Sequence, residues 1–202
     1  MAGSRILSAE REKMGEPNSV LNVFMKKPDR IRSVLEYYLG EKMPEDWVLE
    51  AGDGFYSVRN SRGKMTYRQR DIIRRVRTPG FHFQLGLENQ YTINLIYPWR
   101  LMEMDSCAYG EDIERIQERN NRQKIRYGTE DDFKYCYREV DRLEPILNLT
   151  LYWGTKKWRN PLSVRDMVDM DRLPEKLQHL VGDYRVHLIH MRSIPESELQ
   201  KM

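Results

Sequence analysis

An α/β fold, a mixed β-sheet flanked by helices, is predicted by three features of the sequence. Phe81, Phe83, Leu85 and Leu87 alternate strictly with His82, Gln84, Gly86 and Glu88, the period-2 signature of a half-buried strand. Two stretches, Leu21–Leu39 and Trp99–Arg126, carry apolar residues at helical spacing. The apolar run Ile146–Trp153, bounded by Pro145 and Gly154, reads as a buried strand. Helix, hairpin, helix, strand, helix and strand follow in that order, which places helices against a sheet.

Residues 1–17 are polar and are expected to be a flexible segment, leaving 18–202 as one domain. Leu21, Phe24 and Met25 open an apolar stripe that continues through Ile31, Val34, Leu35, Tyr38 and Leu39. Pro28 suits the first turn of its second part, Asp29 the positive helix N-terminus and Gly40 the stop. Asn60-Ser61-Arg62-Gly63 reads as a turn between a strand at Phe55–Arg59 and a long strand at Lys64–Val76. Thr78-Pro79-Gly80 turns the chain again into the Phe81–Gln90 strand. The late part predicts a short helix over Pro161–Met170 and a last strand over Tyr184–Met191.

The 202 residues are 40% hydrophobic and 32% charged, enough apolar material for a core and too polar throughout for a spanning helix. Without a secretory apolar stretch near Met1, a cytoplasmic protein with no membrane contact is expected. Cys107 and Cys136 match no metal spacing, and His82, His179, His187 and His190 form neither a zinc set nor a catalytic triad. The formal net charge of +3 hides a basic run. Arg62 to Arg77 holds seven Lys and Arg residues against one acid, Asp71.

That acid is the centre of the functional reading. The polar face of the Phe81–Gln90 strand carries Gln84, Gly86, Glu88 and Gln90. With a two-residue loop at Thr78-Pro79, Asp71 falls opposite Gly86 and diagonal to Glu88, at about 7–8 Å between Cα atoms. Two carboxylates so placed repel and are relieved by a proton or a cation, and Mg²⁺ favours such oxygens while keeping its waters. Gly86 would leave room for a phosphate, Gln90 would position the attacking water, and Arg68, Arg70, Arg74 and Arg75 would hold a nucleic-acid backbone. An ordinary surface ladder of charged residues is the competing explanation.

The segments Tyr67-Arg68-Gln69-Arg70-Asp71, Leu85-Gly86-Leu87-Glu88-Asn89-Gln90 and Tyr97-Pro98-Trp99-Arg100-Leu101-Met102, with Asp105 and Tyr109, resemble the recombination-promoting nuclease (Rpn) or YhgA-like putative transposase family. This is a branch of the PD-(D/E)XK nuclease superfamily. Leu149–Trp158 followed by Pro161-Leu162 resembles its strand and basic turn. The resemblance implies a restriction-endonuclease-like core and Mg²⁺- or Mn²⁺-dependent DNA cleavage linked to recombination, mobile elements or defence. It assigns Asp71 and Glu88 to the metal, with the Asn89 backbone carbonyl completing the shell, and puts Gln90 where the superfamily has lysine. Glu36 is the candidate extra acid from the first helix, and Arg100, Asp105 and Tyr109 support the core. Gln90 removes a cation from the phosphate, so Lys156, Lys157 and Arg159 are the nearest replacements. DNA is the expected partner, with a homo-oligomer or pairing with a related chain beside it, and the alternative function is a catalytically weak or inactive nuclease-fold DNA-binding or regulatory protein that pairs with a relative.

Overall fold

The computed structural model describes residues 22–52, 55–59 and 65–200, without the side chains of 55–59 and 65–68. The expected flexible segment 1–17 and the turn at 60–63 lie outside the described residues. Helix α1 spans Pro28–Leu39. Pro28 occupies its first turn, where a missing N–H costs nothing. Gly40 ends it with φ 73°, a left-handed conformation that a side chain resists, and its N–H donates to the Glu36 carbonyl. Ile31, Val34 and Leu35 form its buried stripe.

Strands β1 (Val48–Ala51), β4 (Ile72–Arg77), β5 (His82–Gln90), β6 (Ile146–Tyr152) and β7 (Leu188–His190) make one mixed sheet in the order β1-β4-β5-β6-β7. The β1/β4 and β4/β5 pairs are antiparallel, whereas β5/β6 and β6/β7 are parallel. Strands β2 (Phe55–Arg59) and β3 (Met65–Gln69) pair separately as a two-stranded sheet. Between β5 and β6 run the 26-residue helix α2 (Tyr97–Arg122) and the short α3 (Glu130–Tyr135). Two further single-turn helices, α4 (Glu175–Gln178) and α5 (Glu196–Leu199), lie near the end. No helix among the described residues is long and apolar enough to cross a membrane.

Each face of the sheet has its own core. Ile72, Val76, Phe83, Leu85, Leu87, Leu149 and Leu151 pack with α1 on one side. Ile73 and Tyr152 pack with Tyr97, Leu101, Met104 and Ala108 of α2 on the other. The alternation of β5 therefore divides its residues between two helical layers rather than between core and water. Burying each large apolar side chain contributes about 1.5–3 kcal/mol, so the sheet is stabilised from both faces.

Four expectations are corrected. The long strand over Lys64–Val76 is two strands in different sheets, parted at Arg70 and Asp71, where the chain bends to send Arg70 into the interior. The β4–β5 loop has four residues, Thr78–Phe81, closed by Thr78 Oγ1 against the Phe81 backbone, with Arg77 paired to His82. Pro161–Met170 forms only a 3₁₀ turn at Arg165–Met167. The last strand is shorter than expected, and β1 and α3 were not expected at all.

Candidate functional site

The longer loop shifts the β4–β5 register by two residues. Ile72 faces Leu87 and Ile73 faces Gly86, so Asp71, one step before β4, stands across from Glu88 instead of Gly86. A two-residue shift keeps side chains on their face, which is why the pairing survives the wrong loop length. β4 has not yet begun at this point, and the Asn89 N–H donates to Asp71 Oδ2 at 2.8 Å in place of a strand partner. Asn22 Nδ2 donates to Asp71 Oδ1 at 3.2 Å, and Asn22 Oδ1 accepts from Asn89 Nδ2 at 2.7 Å. The Trp153 indole N–H donates to Asn89 Oδ1 at 2.9 Å. Asp71 and Asn89 are thus held by a closed ring of amides at the end of β5.

Glu88 is buried, and its Oε1 has no hydrogen-bond partner among the described residues. Burial, reinforced by the negative charge of Asp71, pushes its pKa up to about 8. Arg70, Arg100 and the Asp71 backbone N–H pull the other way and do not prevail. The Asp71 carboxyl is also raised, first by burial, against the hydrogen bonds from Asn89 and Asn22 and the charges of Arg100 and Lys26. Thr150 pairs with Glu88 across β6, and its hydroxyl meets the buried Tyr97 hydroxyl at 2.9 Å. Gln90 is half-buried two residues beyond Glu88 on the same strand. Lys156, Lys157 and Arg159 are exposed in the turn after β6, whose last residue, Tyr152, pairs with Gln90. Asp71, Glu88, Asn89, Gln90 and this basic turn therefore share one end of the sheet.

Other expected members lie elsewhere. Arg70 is 3% exposed and ion-paired with Asp105 while bonding Asn148, so it is a core residue and holds no external phosphate. The space above Gly86 belongs to the same network. A Cβ on Gly86 would lie 2.5 Å from both Arg70 Nη1 and Asn148 Oδ1, so the glycine accommodates these side chains rather than a phosphate. Asp105 also binds Asn148 and Tyr184, which satisfies the buried ion pair on several sides. Arg75 lies towards the other end of the hairpin in a two-pronged pair with Glu144, Nε and Nη2 each at 3.0 Å. Arg74 donates to the Lys26 carbonyl at 2.5 Å and to the Ile73 carbonyl at 3.0 Å. Glu36 binds Lys42 at 2.9 Å and the Met43 N–H at 3.1 Å, fastening the turn after α1 instead of joining Asp71 and Glu88. The Arg68 side chain is outside the described residues.

The chemistry of the donor set fits a hard divalent cation: an unpartnered buried carboxylate oxygen, a second acid across the ladder, and the Asn89 carbonyl past Ile72, the first residue of β4. No group of three or more His, Cys, Asp or Glu residues suited to a metal occurs among the described residues, so waters would have to fill the remaining positions. Sequence reasoning missed the electrostatic part of Arg100 and Lys26, whose charges act on Asp71, Arg100 also acting on Glu88. Pro98, a residue favoured in a first helical turn, is the signal that could have placed Arg100 at the start of α2, which begins at Tyr97 rather than at the expected Trp99. Comparison with protein families, curated proteins and solved structures finds no match for the chain.

Proposed function

We propose that the chain is a metal-dependent DNA endonuclease with a restriction-endonuclease-like core of the Rpn type, acting in the cytoplasm. The observation that carries this reading is the Glu88 carboxylate, buried with one oxygen unpartnered and placed across from Asp71. Burying a second acid beside the first costs free energy that an apolar pair would not; a proton on Glu88 offsets it without metal, and a shared cation would take that proton's place. Asp71, Glu88 and the Asn89 carbonyl would hold Mg²⁺ or Mn²⁺. Bound there, the ion supplies an acidified water and a positive charge against the scissile phosphate. Gln90 orients the attacking water by its amide. Arg100 and Lys26 supply the positive charge that lysine at position 90 would otherwise give. Lys156 and Lys157 hold the flanking phosphates, a contact that fixes position without reading sequence.

Calorimetric titration of Mg²⁺ and Mn²⁺ with a parallel plasmid-nicking assay tests this. Wild type should bind and nick, and Asp71→Asn and Glu88→Gln should lose both. Unchanged ion affinity and nicking in both variants overturns the reading.

One observation favours a second reading, that of an inactive DNA-binding or regulatory subunit. Both Asp71 oxygens already accept hydrogen bonds that hold the end of β5, a structural task needing no metal. In that case Asp71→Asn lowers stability in the presence of EDTA, and wild-type stability does not respond to Mg²⁺.

A further inference from the structure

Away from the carboxylate end, the β4–β5 hairpin and the middle of α2 enclose an open cleft of about 1160 Å³. Arg75 and Arg77 enter it from β4, Arg115 and Arg119 from α2, and Arg142 from the segment before β6. Against these five cations the lining offers two acids, Asp112 and Glu144. Two more acids outside the lining pair with these arginines, Asp141 with Arg119 at 2.8 Å and Glu50 with Arg77 at 2.9 Å, so the cleft's character rests on which edges of the cations stay exposed.

Three of the four acids that meet these arginines are buried and the fourth, Glu50 beside Arg77, is 42% exposed, whereas the guanidinium groups are all partly exposed. The side chains of Asp112, Asp141 and Glu144 are 8%, 3% and 5% exposed, whereas those of Arg115, Arg119 and Arg75 are 56%, 48% and 37% exposed. Each buried acid therefore fixes its arginine from the inside and leaves the outer edge towards the cleft. Neutralising the buried acids accounts for the inner edges of Arg75, Arg115 and Arg119, but not for their exposed outer edges nor for Arg77 and Arg142, which hold no buried carboxylate. A guanidinium with its aim already set loses less freedom when it grips a phosphate, and its planar fork matches phosphate oxygens.

We propose that the arginine cleft between the β4–β5 hairpin and α2 binds the phosphate backbone of duplex DNA, as a contact separate from the carboxylate pair. The cleft is larger than a usual small-molecule pocket, and its cations come from three elements, as an extended polyanion requires. From His82 to Glu88, β5 spans about 20 Å, so the cleft grips the backbone away from the bond to be cut. The proposal rests on the nuclease reading for the identity of its ligand and not for its chemistry.

Fluorescence anisotropy with a short labelled DNA duplex in EDTA, over a range of salt, tests it without cleavage. Arg77→Ala with Arg115→Ala should weaken binding about tenfold and reduce the salt slope by about two. These two arginines are chosen because Arg75 and Arg119 hold more deeply buried acids. Gly80→Lys adds a cation at the rim, where a Cβ meets nothing within 4 Å, so it should tighten binding and steepen the slope without disturbing the fold. An unchanged slope in both variants overturns the proposal, as does tighter binding of duplex RNA with the same arginine dependence. Asp71→Asn and Glu88→Gln should bind the duplex in EDTA as wild type does. If neither they nor wild type ever nicks DNA while the arginine dependence holds, the nuclease reading fails and the cleft stands. If wild type nicks but the cleft variants bind normally, the cleft fails alone.

Discussion

Gly86 lies beneath the guanidinium of Arg70, so close that a single added carbon would reach both Arg70 and Asn148. The absent side chain is what lets a charged pair, Arg70 and Asp105, sit inside the sheet–helix interface. Neither neighbour can swing away, because each is fixed in one buried hydrogen-bond network. Gly86→Ala should therefore cost about 1–3 kcal/mol, the range for overpacking a filled core. Urea melts should show a lower midpoint at an unchanged slope, and an unchanged midpoint would mean that the network yields easily.

Removing one partner of the buried pair should cost more than filling its space. Asp105→Ala leaves Arg70 charged and buried, with an expected loss of about 3–5 kcal/mol. Adding Arg70→Met should restore part of that loss, because the stranded charge goes with it. The double variant, measured beside both single ones, reports the coupling directly, and simple additivity would refute it.

The raised pKa of Glu88 sets the sign of a pH effect. Between the ordinary value near 4.5 and about 8, the folded protein holds a proton that the unfolded chain has released. Without divalent metal, stability should fall as pH rises through that window, by up to about 1.4 kcal/mol per unit. Above about 8 the contribution levels off. Glu88→Gln should flatten the profile and raise the melting temperature at pH 8, and a Mg²⁺ addition should do so in wild type only. A wild-type profile already flat without metal would contradict the assignment.

Arg100 should matter for cleavage by charge rather than by packing. Arg100→Gln is expected to slow nicking about 10²-fold, while Arg100→Lys recovers much of it. The same loss in both variants would point to a role in packing.

Glu36→Ala makes the opposite claim. The pair with the 84% exposed Lys42 and the hydrogen bond from the Met43 N–H together account for an expected loss of about 1–2 kcal/mol, with Mg²⁺ affinity unaltered. A loss of ion affinity would return Glu36 to the metal site.

The elements whose identity depends on local periodicity were legible: α1 with its Pro28 and Gly40 boundaries, β5 by alternation, α2 by its apolar stripe, and β6 by its apolar run. The face shared by Asp71, Glu88 and Gln90 was legible for the same reason, since a strand's period of two survives an error of two residues in register. The loop length was not, because Thr78 closes the hairpin through contacts that no periodicity encodes. The fate of the arginines was likewise hidden. Arg70, Arg74 and Arg75 read alike in the chain, yet the acids that bind Arg70 and Arg75 lie 35 and 69 positions away. Those acids, Asp105 and Glu144, arrive only when α2 and the segment before β6 fold onto the sheet. Sequence alone determined which residues share a strand face or a helix stripe, because that follows from bond geometry between near neighbours. Tertiary structure decided which charges are buried in pairs, which face a cleft, and which acid is left with an unpartnered oxygen, because those outcomes depend on what distant segments bring to each site.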